Sequence, residues 1–350
     1  MKRQITFIKA INEALFEAMK EDNSIICYGL GVDDPKGIFG STIGLQEKFG
    51  EERVFDMPAS ENAMTGIAIG ASLNNIRPVM VHQRTDFFLL AMDQLVNSAA
   101  KWHYIFGACV PITIRLIVGQ GWGNGPTHSQ SLHSWFSHIP GLKVVMPTTA
   151  ADAKGLLLSA IADNNPVIFI EHRWLHNMQG EVPEGDYRIP IGKAKLINEG
   201  NDISIVSMSY LTIEAKLAIE YLKEKDISVD LIDLRTVKPI DWDTIYKSVK
   251  KTGKLLALDI GNATNSVASE VIAKVSINCF EDLKSAPQRL ALPDYPIPTG
   301  FSLTQKFFNR AEDIIESVYQ VLGIADNGSV VIDRGETPHD VPGDWFKGPF

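Results

Sequence analysis

PGLKVVMPTTAADAKGLLLSAIADNNPVIFIEH, residues 140–172, reads as strand, helix, strand. LKVVMP (142–147) and PVIFIEH (166–172) are short apolar runs rich in β-branched residues. Between them TAADAKGLLLSAIAD (149–163) has helical composition, and Thr149 is a natural N-cap. Strands apolar on both faces and joined through a helix lie side by side in a parallel sheet covered on both sides.

The same alternation runs outward in both directions. SIICYGL (24–30), RPVMVH (77–82) and VPITIRLIVG (110–119) read as strands, and FFLLAMDQLVNSAAKWHYIFG (87–107) as one long helix. The first residues, MKRQITFIKAINEALFEAMKED, form an amphipathic helix and not a secretion signal, because Glu13, Glu17 and Glu21 interrupt the apolar run. Residues 177–201, rich in Gly, Pro and charge, are a linker. Alternation resumes at 202–209, 213–225, 228–237, 254–261 and 269–280. The reading is α/β, two doubly wound domains: 1–176, then the linker 177–201, a smaller domain 202–323, and an irregular tail 324–350. Trp345, Phe346 and Phe350 in the tail are expected to dock on this chain or on a partner.

The 350 residues are 45% hydrophobic and 21% charged, a globular composition with room for a large core. A net charge of −9 offers no field for nucleic acid or an anionic membrane. No run approaches the roughly 18 apolar residues of a membrane span. Cys27, Cys109 and Cys279 sit alone among apolar residues, as buried thiols of a reducing compartment do, so the expectation is a cytoplasmic protein.

GLGVDDPKGIFG (29–40) has a G-x-G after a strand, but Asp33 and Asp34 would repel phosphate, so it reads as a structural loop. GQGWGNGPTHSQSLHSWFSH (119–138) is a glycine loop beyond a strand's carboxyl end, where open α/β sheets bind ligands. It carries His128, His133 and His138. Five-residue spacings with no nearby Cys, Asp or Glu suit no compact zinc motif. Two readings stay open: proton transfer or charge stabilisation at a substrate, or surface histidines flanking a short helix. Glu61, in FDMPASENAMTGIAIG (55–70), also has two readings. It is a first-turn acid facing the helix dipole, or a carboxylate enclosed by the closely packed small residues behind it.

Asp56, Pro58, Glu61, Gly66, Ala68 and Gly70 resemble the pyrimidine-binding motif of transketolase-like thiamine diphosphate enzymes. The chain is most similar to the beta subunit of the decarboxylating component of 2-oxo acid dehydrogenases of the pyruvate, branched-chain and acetoin types. DQLVNSAAK (93–101), HSQS (128–131), residues 140–172, EVPEGDY (181–187), IDLRTVKPIDWDTI (232–245) and LPDYPIP (292–298) carry the resemblance over about residues 3–323. It implies a transketolase-like pyrimidine-binding domain followed by a smaller transketolase C-terminal-type domain. It implies that Glu61 activates thiamine diphosphate through a pyrimidine ring nitrogen, and that His128 moves a proton or stabilises an anion near the substrate or acyl acceptor. It also implies a structural potassium site at Ile112, Ala160, Ile161, Asp163 and Asn165, although AIADNNP is equally a plain helix end. The diphosphate and Mg²⁺ motif of the family, G-D-G…N, is not in this sequence. The resemblance therefore implies an alpha-type partner holding Mg²⁺, most simply in an α2β2 heterotetramer, and an acyltransferase or lipoyl partner beyond it.

Three departures from the family stand out. Arg84 falls where the family has an aromatic or small apolar residue near the cofactor ring, with Phe87 and Phe88 left to form an aromatic wall. Arg84 would suit a carboxylate or phosphate of an unusual substrate. His133 replaces an often acidic residue, and GNATNSVASE (261–270) replaces a glycine-rich stretch. Three functions follow: a 2-oxo acid decarboxylase/dehydrogenase beta subunit, the small half of a split transketolase-like enzyme passing an acyl or ketol unit to a sugar or other small acceptor, or a non-catalytic scaffold.

Overall fold

The structure, a computed structural model, describes residues 3–325, 330–346 and 348. They form two compact units, the first of residues 3–119, 135–191, 345, 346 and 348, and the second of residues 120–134, 192–325 and 330–344.

The first unit starts with β1 (Gln4–Thr6), α1 (Phe7–Glu21), β2 (Ile25–Gly29), α2 (Leu45–Phe49), β3 (Val54–Asp56), α3 (Glu61–Ser72) and β4 (Arg77–His82). Next come α4 (Thr85–Phe88), α5 (Ala100–Phe106) and β5 (Thr113–Val118). α6 (His133–His138) brings the chain back to β6 (Lys143–Val145), α7 (Ala150–Ala162), β7 (Val167–His172) and β8 (Gln179–Glu181). Its sheet has the order β6-β7-β5-β4-β2-β3, with every pair parallel. All carboxyl ends therefore lie on one edge.

The sheet is apolar because both faces are covered. β5 and β7 are buried at every residue. Thr149 caps α7 by accepting from the Asp152 amide, and α7 packs along α1. α7 has no solvent face: Lys154 is fully buried, and Nζ reaches Glu17 Oε1 at 2.8 Å and Glu13 Oε2 at 3.4 Å. β2 and β4 approach so closely at Gly29 that a Cβ there would sit 2.2 Å from the Val81 carbonyl oxygen. Gly29→Ala must push these strands apart, and about 2–3 kcal/mol of stability is expected to go with it. Urea unfolding checks this; a loss under about 0.5 kcal/mol would show that the strands give way freely.

Several expectations change on contact with the structure. The single helix expected over 87–107 is α4, a 3₁₀ turn (Leu89–Ala91), a π turn (Gln94–Ala99) and α5. Its apolar composition does not distinguish a straight helix from one rewound to match its neighbours. The residues 177–201 contain two strands: β8 pairs antiparallel with β1, and β9 (Lys195–Asn198) enters the second sheet. Cys27 and Cys279 are buried, but Cys109 is exposed. α3 is only half enclosed: Glu61, Met64, Thr65, Ala68, Ile69 and Ser72 are buried, while Ile67 is 50% exposed beside exposed Gly66 and Gly70.

The second unit holds β9, β10 (Ile203–Ser207), α8 (Tyr210–Lys223), β11 (Val229–Asp233), β12 (Thr236–Lys238), α9 (Trp242–Thr252), β13 (Leu255–Asn262), α10 (Val267–Asn278), β14 (Gln288–Leu292) and α11 (Ala311–Leu322). Its sheet order is β14-β13-β10-β11-β9, parallel except for β9. α8 packs with α11 and α9 with α10. The tail residues described have no helix or strand. Trp345 and Phe346 dock on the first unit: Trp345 Nε1 donates to the Trp174 carbonyl at 2.9 Å, and the Phe346 ring lies 5.3 Å from the Arg173 guanidinium. Phe350 lies outside the described residues. No helix among the described residues is long and apolar enough to cross a membrane.

Candidate active site

The carboxyl edge of the first sheet gathers Glu61 after β3, Arg84 and Phe87 after β4, and Arg173 after β7. Asp56 ends β3, and its carboxylate accepts from the Gly31 and Val32 amides, both at 2.7 Å. The last amide of the G-x-G and the one after it are thereby taken up by the chain's own acid, in keeping with a structural loop. Met57 N also donates to the Gly29 carbonyl at 2.9 Å, so the segment entering α3 is pinned from both sides.

Glu61 is the first residue of α3 and is 7% exposed. An ordinary first-turn acid stands in water, where it faces the helix dipole at no desolvation cost. The backbone around Glu61 is fixed: its carbonyl accepts from Thr65 Oγ1 at 2.9 Å, and the Met64 carbonyl from Tyr28 Oη at 2.8 Å. Its carboxylate, in contrast, has no hydrogen bond or ion pair among the described residues. A nearly buried residue on a fixed backbone, whose carboxylate keeps open acceptor sites, fits a ligand nitrogen.

Phe87 is 37% exposed and remains available as a wall. Phe88 does not: it is fully buried, with ring centroids 4.8 Å from His82 and 6.1 Å from Phe136. Position along one helical turn separates the two, since adjacent residues point about 100° apart. His82, at the end of β4, is 3% exposed, and burial pushes its imidazole down to about 4. Its Nε2 has no partner among the described residues. Arg84 is half-buried, and burial lowers its pKa against the opposing pull of Asp86. Arg173 is 4% exposed; burial, and then the Arg84 charge, push it down to about 10. Its guanidinium lies 4.6 Å from the Phe39 ring centroid, on the side chain of the loop after β2. Arg173 follows PVIFIEH directly, and a basic residue at a parallel strand's carboxyl end was the signal that sequence reasoning left unused.

The residues assigned to potassium lie on the opposite, amino edge of the sheet. Arg77 Nη1 donates to the carbonyls of Ile161 and Asp163 at 3.2 and 3.1 Å, and Nη2 to Asn164 Oδ1 at 2.7 Å. The Ile112 carbonyl accepts from Val167 N at 3.0 Å, and the Ala160 carbonyl from Asp163 N at 3.2 Å. Lys143 Nζ pairs with the Asp163 carboxylate, which also accepts from Asn165 N at 2.9 Å. Each carbonyl keeps a second lone pair, so a monovalent cation fits here only alongside Arg77.

His128 belongs to the second unit. It is half-buried, with Nδ1 3.0 Å from Thr127 Oγ1. His138 is exposed, as a surface histidine would be. His133 is buried, its Nε2 2.9 Å from Asp259 Oδ1. Burial favours a protonated Asp259, but His133 and the Gly261 and Ala268 amides outweigh it and lower the pKa. No group of three or more His, Cys, Asp or Glu side chains among the described residues is placed to hold a metal ion.

Comparison with known proteins places this architecture in a class. The family model "Transketolase, pyrimidine binding domain" matches residues 3–178, and "Transketolase, C-terminal domain" matches 192–314. A solved structure, "Split gene transketolase, inactive beta4 tetramer", shares the fold with a TM-score of 0.74 at 23% identity, covering 91% of this chain and 99% of that one. Similar proteins include the acetoin:2,6-dichlorophenolindophenol oxidoreductase subunit beta of Cupriavidus necator, 40% identical over 90% of this chain and 96% of the relative. The 2-oxoisovalerate dehydrogenase subunit beta of Bacillus subtilis is 39% identical, over 91% and 98%. The pyruvate dehydrogenase E1 component subunit beta of the same organism is 38% identical, over 91% and 99%. The chain belongs to the transketolase-like family of E1 beta subunits of 2-oxo acid dehydrogenases.

Proposed function

We propose that this chain supplies the pyrimidine half of a thiamine diphosphate site in an enzyme that decarboxylates a 2-oxo acid. The observation that carries the reading is Glu61, nearly buried, with its backbone tied by the Thr65 hydroxyl and its carboxylate without a protein partner among the described residues. When bound, the cofactor supplies a thiazolium carbon that can lose a proton and act as a nucleophile. Glu61 holds a proton at a pyrimidine ring nitrogen, a role that needs a carboxylate kept out of bulk water. Phe87 offers a face for the ring. His128 moves a proton at the substrate or acceptor. Glu61 and Phe87 on the carboxyl edge suit the pyrimidine, whereas Asp56 takes up the Gly31 and Val32 amides and so withholds them from a diphosphate. Mg²⁺ and the diphosphate therefore belong to an alpha-type partner, in an α2β2 assembly. Exposed Ile67, Leu90, Tyr104, Ile105 and Phe106 on the first unit suit burial against other chains. Potassium would stiffen the amino edge at Ile112, Ala160, Ile161, Asp163 and Asn165, beside Arg77.

A second reading keeps the cofactor and changes the acceptor. Arg84 and Arg173 bring two guanidinium groups within electrostatic reach of one another at the carboxyl edge. This favours a substrate or small acceptor bearing an anionic group beyond the 2-oxo acid itself. Reconstitution with an alpha-type subunit, thiamine diphosphate and Mg²⁺ tests both. Reduction of lipoamide with release of carbon dioxide supports the dehydrogenase; a ligated carbon–carbon product supports transfer. Failure of the assembled chains, with cofactor bound, both to release carbon dioxide from a 2-oxo acid and to form a ligated product would leave a scaffold.

A further inference from the structure

The loop that carries His128 has an unusual backbone. Gly121, Trp122, Gly123 and Gly125 all have positive φ, at 75°, 50°, 74° and 68°. For Trp122 this is a conformation that a side chain with a Cβ adopts only when its surroundings impose it. Inside the loop Asn124 N and Nδ2 both donate to the Gly121 carbonyl at 3.1 Å, His128 N reaches Gly125 O at 3.5 Å, and His128 Nδ1 lies 3.0 Å from Thr127 Oγ1. Ties from outside the loop add to these. Gln120 Nε2 donates to Tyr210 Oη at 2.7 Å, and His133 meets Asp259 at the far end. Between these anchors, at the strained residue, Trp122 N donates to Asp340 Oδ2 at 2.8 Å.

Asp340 lies in the tail, beyond the residues that either family model matches. It is 6% exposed, which is unusual for an aspartate in a segment without regular structure. The tail is tied down on both sides of it. Arg334 reaches Glu214 Oε2 at 2.7 Å and Glu312 Oε2 at 3.0 Å. Arg310, which pairs with Glu214 Oε1 at 3.0 Å, donates to the carbonyls of His339 and Val341. His339 Nε2 lies 3.0 Å from Thr304 Oγ1 and 2.9 Å from the Phe301 carbonyl. The two residues flanking Asp340 are therefore clamped by one guanidinium, which fixes where its carboxylate can go. A charge-assisted bond from a fixed carboxylate to the one strained non-glycine amide is what selects a single conformation of a glycine loop.

We propose that the tail is a strap and that Asp340 is a positioning residue, setting the conformation of the loop that presents His128. The inference rests on the proposed role of His128 only for its catalytic consequence. Asp340→Ala removes the acceptor, and Asp340→Asn keeps an oxygen for the Trp122 amide. Both are compared with the parent chain in the assembled enzyme, by amide hydrogen exchange over residues 119–134 and by kcat and KM. Asp340→Ala is expected to speed exchange in this loop at least about tenfold and to lower kcat about tenfold with little change in KM, because a misplacement of about 1 Å costs up to about 100-fold. Asp340→Asn is expected to restore both. Arg334→Met, which unties the strap without touching the loop, is expected to speed exchange in the same residues. Unchanged exchange in Asp340→Ala overturns the proposal, as does equal damage by Ala and Asn. Faster exchange in Asp340→Ala with kcat unchanged and rescue by Asn supports the strap and removes His128 from the reaction.

Discussion

Glu61→Gln is expected to lower kcat of the assembled enzyme about 1,000-fold, roughly 4 kcal/mol of transition-state stabilisation, while leaving the fold intact. Glutamine has the same shape but cannot take part in holding the proton at a cofactor nitrogen. The structural roles at this position are played by the backbone, through the Thr65 hydroxyl, so they survive the change. The charge itself has no partner to lose among the described residues, and a nearly buried lone carboxylate contributes no stability. The melting temperature is therefore expected to hold or to rise slightly, and assembly with the alpha-type subunit to persist. Steady-state kinetics beside thermal unfolding decides the matter. A Gln variant with a third or more of the parent activity would return Glu61 to the status of an ordinary first-turn acid.

Glu171→Gln is expected to cost about 3–5 kcal/mol of stability. Glu171 and Arg115 are fully buried on neighbouring strands and meet bidentately, Nε to Oε1 at 2.6 Å and Nη2 to Oε2 at 3.0 Å. His176 Nε2 stands 3.4 Å from Oε2. Burial alone would raise the Glu171 pKa; the Arg115 charge and the hydrogen bonds reverse this and hold it at about 2. Losing the carboxylate leaves a guanidinium buried without a counter-charge. Replacing both partners, Arg115→Met with Glu171→Leu, is expected to recover most of the loss, since a buried pair is worth little against an apolar pair. Urea midpoints of the two variants check this; a single variant within about 1 kcal/mol of the parent would contradict it.

The same groups set the acid limit of the first unit. A carboxyl depressed to about 2 from its ordinary 4.5 stabilises fully above 4.5, and this contribution is lost as pH falls toward 2. His82 and His172, pushed by burial to about 4 and about 3, act in the same direction. Unfolded, they take protons near 6.5, so their neutral burial costs stability from there downward.

What the sequence determined by itself was the local order of elements and the chemistry in reach. The strand–helix–strand pattern of 140–172 follows from apolar composition and the Thr149 cap, which act over a few residues. The Asp56–Gly70 motif singled out Glu61 as a candidate, because its spacing is fixed by a turn and one helical start. The tertiary structure alone decided how charges and small residues are used. Arg115 and Glu171 are 56 residues apart in sequence and adjacent only through the pairing of β5 with β7. Phe87 and Phe88 look alike in sequence, yet only one is buried, because packing reads direction around a helix and composition does not. The grip of Asp340 on Trp122 spans 218 residues. No pattern within a window of one helix can announce such a contact, since it depends on how the whole second unit closes around the loop.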